Sequence, residues 1–286
     1  MKRYVIYSAI CGNYDTIRQP VVVDNRFDYI LFTNEIEEKY VGIWQIRKIA
    51  YSNPDNTRIC RYIKTHPEEL LPEYEVSILM DSNVQITTDY IYYRVNELEK
   101  DKILVSSMWH PTGCIYQEAF DVIHGMIEHE SIVVRWCHQL RKEKYPRYNG
   151  LCETNVLYRK HSDSSILAFD KYWWKCIEEN SKRDQLSYNF ALWKLNIPYH
   201  YLMGEKYNVR NSQHFNIQNH NNLKHNHCTI AKNEAWLMRY CWKKEGERDK
   251  IANVYYRLYA FPFPLFAIAL AGQYFRIKYL FDFYGE

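Results

Sequence analysis

No CxxC pair occurs in this chain: its eight cysteines, at 11, 60, 114, 137, 152, 176, 228 and 241, are scattered singly. A structural zinc site or a thioredoxin-like motif is therefore not expected. No apolar run approaches the ~20 residues that a membrane-spanning helix needs. The opening MKRYVIYSAICGNYD has a short apolar stretch flecked with polar residues, which reads as a first core strand rather than a signal peptide. Free thiols then fit a reducing cytoplasm. Charge of one sign is also lacking. With 37 basic and 34 acidic residues the net charge is +3, too balanced to draw nucleic acid by bulk field. There is no internal repeat and no low-complexity segment. The first strand is followed by AICGNYDTIR, with one glycine, where a nucleotidyltransferase would carry a glycine-rich basic loop.

What is present is an ordinary globular composition, 47% hydrophobic and 25% charged over 286 residues, enough for one large α/β domain or two small ones. Aromatics are abundant: 27 Tyr, 12 Phe and 8 Trp. Such rings fill cores and also offer flat faces to sugars. Apolar and β-branched runs predict strands over 3–10, 28–33, 43–49, 75–80, 102–108 and 151–159. Helical spacing predicts helices over 55–65, 115–144, 164–180 and 183–195. Strands alternating with helices imply α/β with a mainly parallel sheet. Residues 208–228, rich in Asn, His and Gln, read as a long lid-like loop, and 233–286 as a helical, very aromatic tail.

Several segments carry side chains suited to chemistry, each with a plain structural alternative. The strand ILM at 78–80 delivers Asp81 and Asn83 at its carboxyl end, where ligands bind in open α/β sheets. Oxygen ligands at i and i+2 can share one Mn²⁺ or Mg²⁺, and such a metal neutralises a departing diphosphate; plain turn residues also end strands this way. At the end of the first strand, Ala9, Ile10, Gly12, Tyr14 and Asp15 can approach a nucleotide, with Tyr14 stacking on the base. Thr33 and Asn34, after the second strand, can bond the base edge or ribose. Two tight turns are the alternative. Arg58, Arg61 and Lys64 share one broad side of a helix and either clamp a diphosphate or face solvent. Asp184 at a helix start can be a general base on an acceptor hydroxyl or bind and position that hydroxyl, or simply favour the macrodipole. His110, Tyr116, Glu118, Glu153, Asn155 and Arg159 add polar groups at strand ends and helix starts. His214 and His220 lie in the lid-like loop, where one can complete a metal shell.

Taken in order, YSAICGNYDTIRQP, DYILFTN, RYIKTHPEELLPEYEVSILMDSNVQI, HPTGCIYQEA, GLCETNVLYR and RDQLSYNFALWK resemble the glycosyltransferase-like domain family named for plant turgor-regulation-defect and mucilage-related proteins, which has many bacterial members. The resemblance covers about residues 4–200. It implies a GT-A-like (Rossmann-like) fold, a nucleotide-sugar donor and a metal-dependent site. On the matching blocks, Asp81 and Asn83 correspond to the metal-proximal motif, and Arg61 and Lys64 to the basic pair. His110, Glu118, Glu153, Arg159, Arg183, Asp184 and Gln185 correspond to the polar blocks. Asn83 stands where a second carboxylate is commoner, and Thr112-Gly113 where a basic residue is expected.

The expected protein is thus a GT-A-like domain over 1–230 with a helical extension over 231–286. It would move a sugar from a nucleotide sugar, UDP-linked, to a saccharide or lipid-linked acceptor in surface polysaccharide synthesis. In that assignment Asp184 is catalytic. Ala9, Ile10, Gly12, Tyr14, Asp15, Thr33, Asn34, Arg58, Arg61, Lys64 and Asp81 hold the donor. His110, Glu118, Glu153, Asn155, Arg183 and Gln185 hold the acceptor. Asp81, Asn83 and His214 hold Mn²⁺ or Mg²⁺. No nucleic-acid partner is expected. The aromatic tail, with Arg and Lys interspersed, is read as a membrane-surface contact at the inner face or as a packed helix pair or dimer contact. A non-catalytic sugar- or nucleotide-binding module and a nucleotidyltransferase are the rivals.

Overall fold

The apolar run at the start of the chain forms β1 (Lys2–Ala9), whose Val5, Ile6 and Tyr7 are wholly buried. Burial on both faces is what a central parallel strand requires. The computed structural model describes residues 2–218 apart from Asn13, Gly125 and Met126, together with His220 and Leu270. After β1 come β2 (Phe27–Phe32), β3 (Tyr40–Val41), β4 (Trp44–Arg47), α1 (Asn56–Thr65), α2 (Pro67–Leu70) and β5 (Tyr74–Met80). Then follow β6 (Val84–Ile86), α3 (Tyr90–Lys100), β7 (Val105–Trp109), α4 (Ile115–His124) and α5 (Glu130–Lys142). The described part ends with β8 (Cys152–Arg159), α6 (Ser164–Glu179), α7 (Gln185–Lys194) and β9 (Phe215–Ile217).

Seven strands form one sheet in the order β3-β4-β2-β1-β5-β8-β7. β1 pairs in parallel with β2 and β5, and β2 with β4, while β8 runs antiparallel to both β5 and β7. This is the mixed, mainly parallel α/β sheet expected from the sequence. Successive residues of β1 point to opposite faces, and each face has its own core. Ile6 joins Leu31, Ile78 and the α3 residues Ile91, Val95 and Leu98. Val5 and Tyr7 join Leu79, Ile63 of α1, Phe169 and Trp173 of α6 and Tyr188 of α7. The carboxyl ends of β1, β2 and β5 consequently open on one edge, and β8 brings its own residues to that edge: Asp81 N donates to Asn155 O at 2.8 Å.

Most expected helices and strands occur with shifted ends. Asp55 caps α1 by accepting from Thr57 N, as its position before the helical pattern predicts. The strand expected from 102 starts at Val105, because Lys102 adopts a positive φ of 56°. The helix expected over 115–144 is two helices, and His129 caps the second by accepting from Ser131 N. α3 and the small β6-β9 ladder were not expected. β9 falls inside the stretch read as a loop. The described residues divide into two compact units, one holding residues up to Gly113 and from Gly150, the other holding Cys114–Asn149. The expected extension over 231–286 lies, but for Leu270, outside the described residues. No helix among the described residues is long and apolar enough to cross a membrane.

Candidate functional site

Lys64 is the centre of the open edge. It occupies the last turn of α1 and is 2% exposed. Its Nζ donates to Asp184 Oδ2 at 2.8 Å and to Thr154 O at 2.9 Å, and stands 3.1 Å from Asp81 Oδ1. Arg61, one turn earlier on α1, places Nε 3.0 Å from Asp184 Oδ1, and Thr154 Oγ1 donates to Asp184 Oδ2 at 2.6 Å. Asp184 therefore has both oxygens occupied by buried partners. Burial alone would raise its carboxyl, but the Arg61 and Lys64 charges and the hydrogen bonds hold it well below the usual carboxylate range. The oxygens that a general base would turn to an acceptor hydroxyl are thus engaged with Arg61, Lys64 and Thr154.

Asp81 differs from Asp184 in being one-third exposed. Beside it, Ser82 Oγ donates to Asp15 Oδ2 at 2.7 Å, and His220 Nδ1 lies 3.0 Å from both Asp15 oxygens. Tyr14 packs against His220 with ring centroids 4.5 Å apart and the rings tilted by 35°. Burial raises the Tyr14 phenol, and Asp15, Arg183, Arg61 and Asp81 all act on it electrostatically. Tyr14, Asp15, Arg61, Arg183 and Asp81 thus share one neighbourhood. Arg183, expected on the acceptor side, thus lies near residues expected on the donor side. Asn83 is buried and its Nδ2 donates to Gln218 O at 2.8 Å, tying β6 to the residue after β9.

His214 is elsewhere. Ile86 pairs with Phe215 and Val84 with Ile217, so His214 and the Asn83 end of the ladder are about four residues, or roughly 13 Å, apart along the strand. His214 Nδ1 bonds Thr88 Oγ1 at 2.8 Å and its ring stacks on Tyr90 at 4.3 Å. The expected metal-ligand role of His214 is corrected on this placement; the histidine at the Asp15 end is His220. Among the described residues no three His, Cys, Asp or Glu side chains group as metal ligands. A hard divalent cation does not need three: Mg²⁺ is often held by one or two carboxylates plus substrate phosphates. Asp81, part-exposed and with one oxygen turned to Lys64, is a carboxylate of that kind.

A second polar group flanks the first. Glu153 of β8 is 4% exposed. Arg210 Nη1 donates to both its oxygens at 2.6 Å, Asn155 Nδ2 to Oε2 at 2.9 Å, and Asn208 Nδ2 reaches Oε1 at 3.5 Å. Burial, and then the Arg210 charge, lower the His110 imidazole to about 4, so it is neutral at pH 7. The sequence reading missed Arg210, Asn208 and Thr154. The one legible signal was a lone arginine in the YNVRN run of a segment poor in apolar anchors.

Several other expected site residues make contacts within the fold. Arg58 donates to Ile177 O at 2.6 Å, Glu178 O at 3.3 Å and Asn180 O at 3.2 Å, so it caps the carboxyl end of α6 instead of clamping a diphosphate. Asn34 exchanges two bonds with the Ile49 backbone, Nδ2 to O at 3.0 Å and Oδ1 from N at 2.8 Å, which fixes the orientation of its amide. Thr33 is wholly buried and its Oγ1 accepts from Glu35 N. Ile10 packs in the core and its N donates to Phe32 O, leaving Ala9 and Ile10 as backbone scaffolding. Gly12 has φ +79°, and a Cβ there would meet Asn56 Nδ2 at 2.2 Å, so a glycine lets the end of β1 meet the start of α1. Arg159, wholly buried, pairs with Asp170 and Tyr7 and donates to Lys64 O at 2.6 Å. Gln185 opens α7, partly exposed. Glu118 is buried on α4 in the second unit.

A family model described as TOD1/MUCI70, glycosyltransferase-like domain, matches residues 1–221. Among solved structures the chain is similar to the apo structure of the bifunctional glycosyltransferase WbbM at 9% identity, with a TM-score of 0.36 over 70% of this chain and 38% of that one. The chain thus spans well under two thirds of that protein. No curated protein matches it. With the family match running from β1 through the Asp81 and Glu153 edges to the residue after His220, the chain belongs to the TOD1/MUCI70 glycosyltransferase-like domain family.

Proposed function

We propose that the protein is a glycosyltransferase, a hexosyl- or pentosyltransferase, that moves a sugar from a UDP-linked donor to a saccharide or lipid-linked acceptor. The single observation that carries this reading is the Lys64 ammonium joining part-exposed Asp81 to buried Asp184 at the carboxyl edge of the sheet. A buried cation fixed from behind, with a carboxylate in front, suits a diphosphate whose charge grows as the glycosidic bond breaks. Arg61 adds a second fixed cation. Tyr14 stacks on the nucleobase and Arg183 lies beside it. Asp81 holds Mn²⁺ or Mg²⁺ together with the donor phosphates, with His220, oriented through Nδ1 by Asp15, as the neighbouring nitrogen ligand. The bound cation would act as a Lewis acid toward the diphosphate.

Glu153, Asn155 and His110 line the acceptor side. We place the enzyme in the cytoplasm, at the inner face of the membrane, in surface polysaccharide synthesis. That part of the reading rests on the sequence, since the aromatic tail lies outside the described residues apart from Leu270. The test is thermal unfolding with a set of nucleotide sugars, each with and without Mn²⁺. The expected result is stabilisation by one UDP-sugar that requires the metal, with UDP released on adding acceptor. Binding without turnover would favour the non-catalytic module, and no response to any nucleotide would end the reading.

A further inference from the structure

β8 runs antiparallel to β5, with Met80 opposite Val156 and Asp81 N bonded to Asn155 O. Stepping back along β8 from Asn155 to Glu153 therefore leads past the end of β5, roughly 7 Å into the region where ligands of such sheets bind. Thr154 turns to the opposite face, toward Asp184. Glu153 and Asn155 are thus neighbours on one face, beside the donor edge but not part of the Lys64 cluster.

Two features of this pair call for a ligand that donates hydrogen bonds. Asn155 is 9% exposed, yet its Oδ1 has no hydrogen-bond partner, a costly arrangement for a buried acceptor. Glu153 is buried, but its strongest partner is not: the Arg210 side chain is 58% exposed and comes from the segment between α7 and β9. A carboxylate has about four lone-pair sites; Asn155 and Asn208 take one each, and the two taken by the exposed Arg210 are open to a hydroxyl once that side chain moves aside. The charged and titratable groups around Glu153 are Arg210, in contact, and His110, neutral at pH 7 and under the same arginine's charge. Asp184 is the contrast, a carboxylate whose partners Lys64, Arg61 and Thr154 are all largely buried.

We propose that Glu153, and not Asp184, is the catalytic residue that takes the acceptor's proton, with Asn155 Oδ1 receiving a second hydroxyl of the acceptor and Arg210 as the exchangeable cover. The acceptor is then a polyhydroxylated sugar. This rests on the glycosyltransferase reading above. The acceptor O–H gives its proton to a Glu153 oxygen, and its oxygen forms the bond to the anomeric carbon. The bond from that carbon to the diphosphate breaks, and its electron pair leaves with the diphosphate. One displacement inverts the anomeric centre.

The experiment uses the full chain with Mn²⁺, the UDP-sugars UDP-glucose, UDP-galactose and UDP-N-acetylglucosamine, and a panel of methyl glycosides as acceptors. Glu153→Gln is expected to lower transfer by about 10²- to 10⁴-fold and to abolish the acid limb of the rate–pH profile. Its metal-dependent thermal shift with the UDP-sugar should stay that of the wild type. Arg210→Met removes the side chain that covers Glu153 and should lower the acceptor KM. The product anomer should be opposite to the donor's. Near-wild-type transfer by Glu153→Gln, loss of its donor binding, an unchanged acceptor KM in Arg210→Met, or a retained anomer would each overturn the assignment while leaving the glycosyltransferase reading intact. A wild-type protein that neither binds nor turns over any of these donors would instead remove that reading, and this assignment with it.

Discussion

Lys64 Nζ lies 2.8 Å from Asp184 Oδ2 and 3.1 Å from Asp81 Oδ1, so one ammonium joins a carboxylate that is 4% exposed to one that is 33% exposed. The two partners should respond differently to mutation. Lys64→Met leaves Asp184 buried with one fewer cation, and is expected to cost about 3–5 kcal/mol of stability. Asp81→Asn removes only a part-exposed pair, worth about 1 kcal/mol or less, yet should abolish the metal-dependent shift with a UDP-sugar. Denaturant unfolding and ligand thermal shifts on both variants check this. A large stability loss in Asp81→Asn with donor binding intact would contradict it.

Acid should unfold the protein partly through Asp184. Its folded carboxyl lies far below the unfolded value because Arg61 and Lys64 outweigh burial. Above the ordinary carboxylate range near 4 the unfolded and folded groups are both ionised, and the stabilisation is fully present. As pH falls below that range the unfolded chain takes up the proton first, so the contribution drains away. Asp184→Asn should lower stability at pH 7 and flatten its fall between about pH 4 and 2. Unfolding free energies across that window test the sign.

Arg58→Met should destabilise without touching ligand binding. The guanidinium serves three carbonyls at and after the end of α6, and α6 has no basic residue in its last turn to compensate. A loss of about 1–2 kcal/mol is expected from the cap and the macrodipole together. The UDP-sugar thermal shift, measured relative to the variant's own baseline, should be unchanged. A weakened shift would return Arg58 to the donor site.

The sheet was legible because its signal is local. Val5, Ile6 and Tyr7, or Ile78 to Met80, are continuous apolar runs that only a two-sided buried strand uses. The place of Asp81 at the carboxyl edge of the sheet was legible for the same reason, since it ends such a run. Which polar residues share a site depends on partners far away in sequence. Arg58 and Lys64 look alike on the α1 helix, yet one meets the end of α6 and the other Asp184, 120 residues on. Arg210 and Glu153 are 57 residues apart, with no periodic pattern to connect them. β6 and β9 are three residues each, too short to stand out from turns. The break between α4 and α5 escaped because apolar positions on both sides keep helical spacing.

Asn34 offers the sharpest separation of fold from recognition. At the end of β2 its amide acts like one more ladder residue, giving to Ile49 O and taking from Ile49 N. It continues the β2-β4 pairing where Thr33 N already donates to Arg47 O at 3.0 Å. Asn34→Ala strands both Ile49 groups at a residue only 8% exposed, and should cost about 1–3 kcal/mol. Asn34→Asp keeps the acceptor and loses the donor, so it should fall between Ala and wild type. Were Asn34 reading a base edge, these variants would alter the preference among UDP-, GDP- and ADP-sugars. The amide is oriented by its two backbone bonds, and with that structural role the order of nucleotide preference should be the same in all three proteins, with only the unfolding midpoint moving. Competition binding with the three nucleotide sugars decides it, and a changed preference in Asn34→Asp at unchanged stability would restore the base contact.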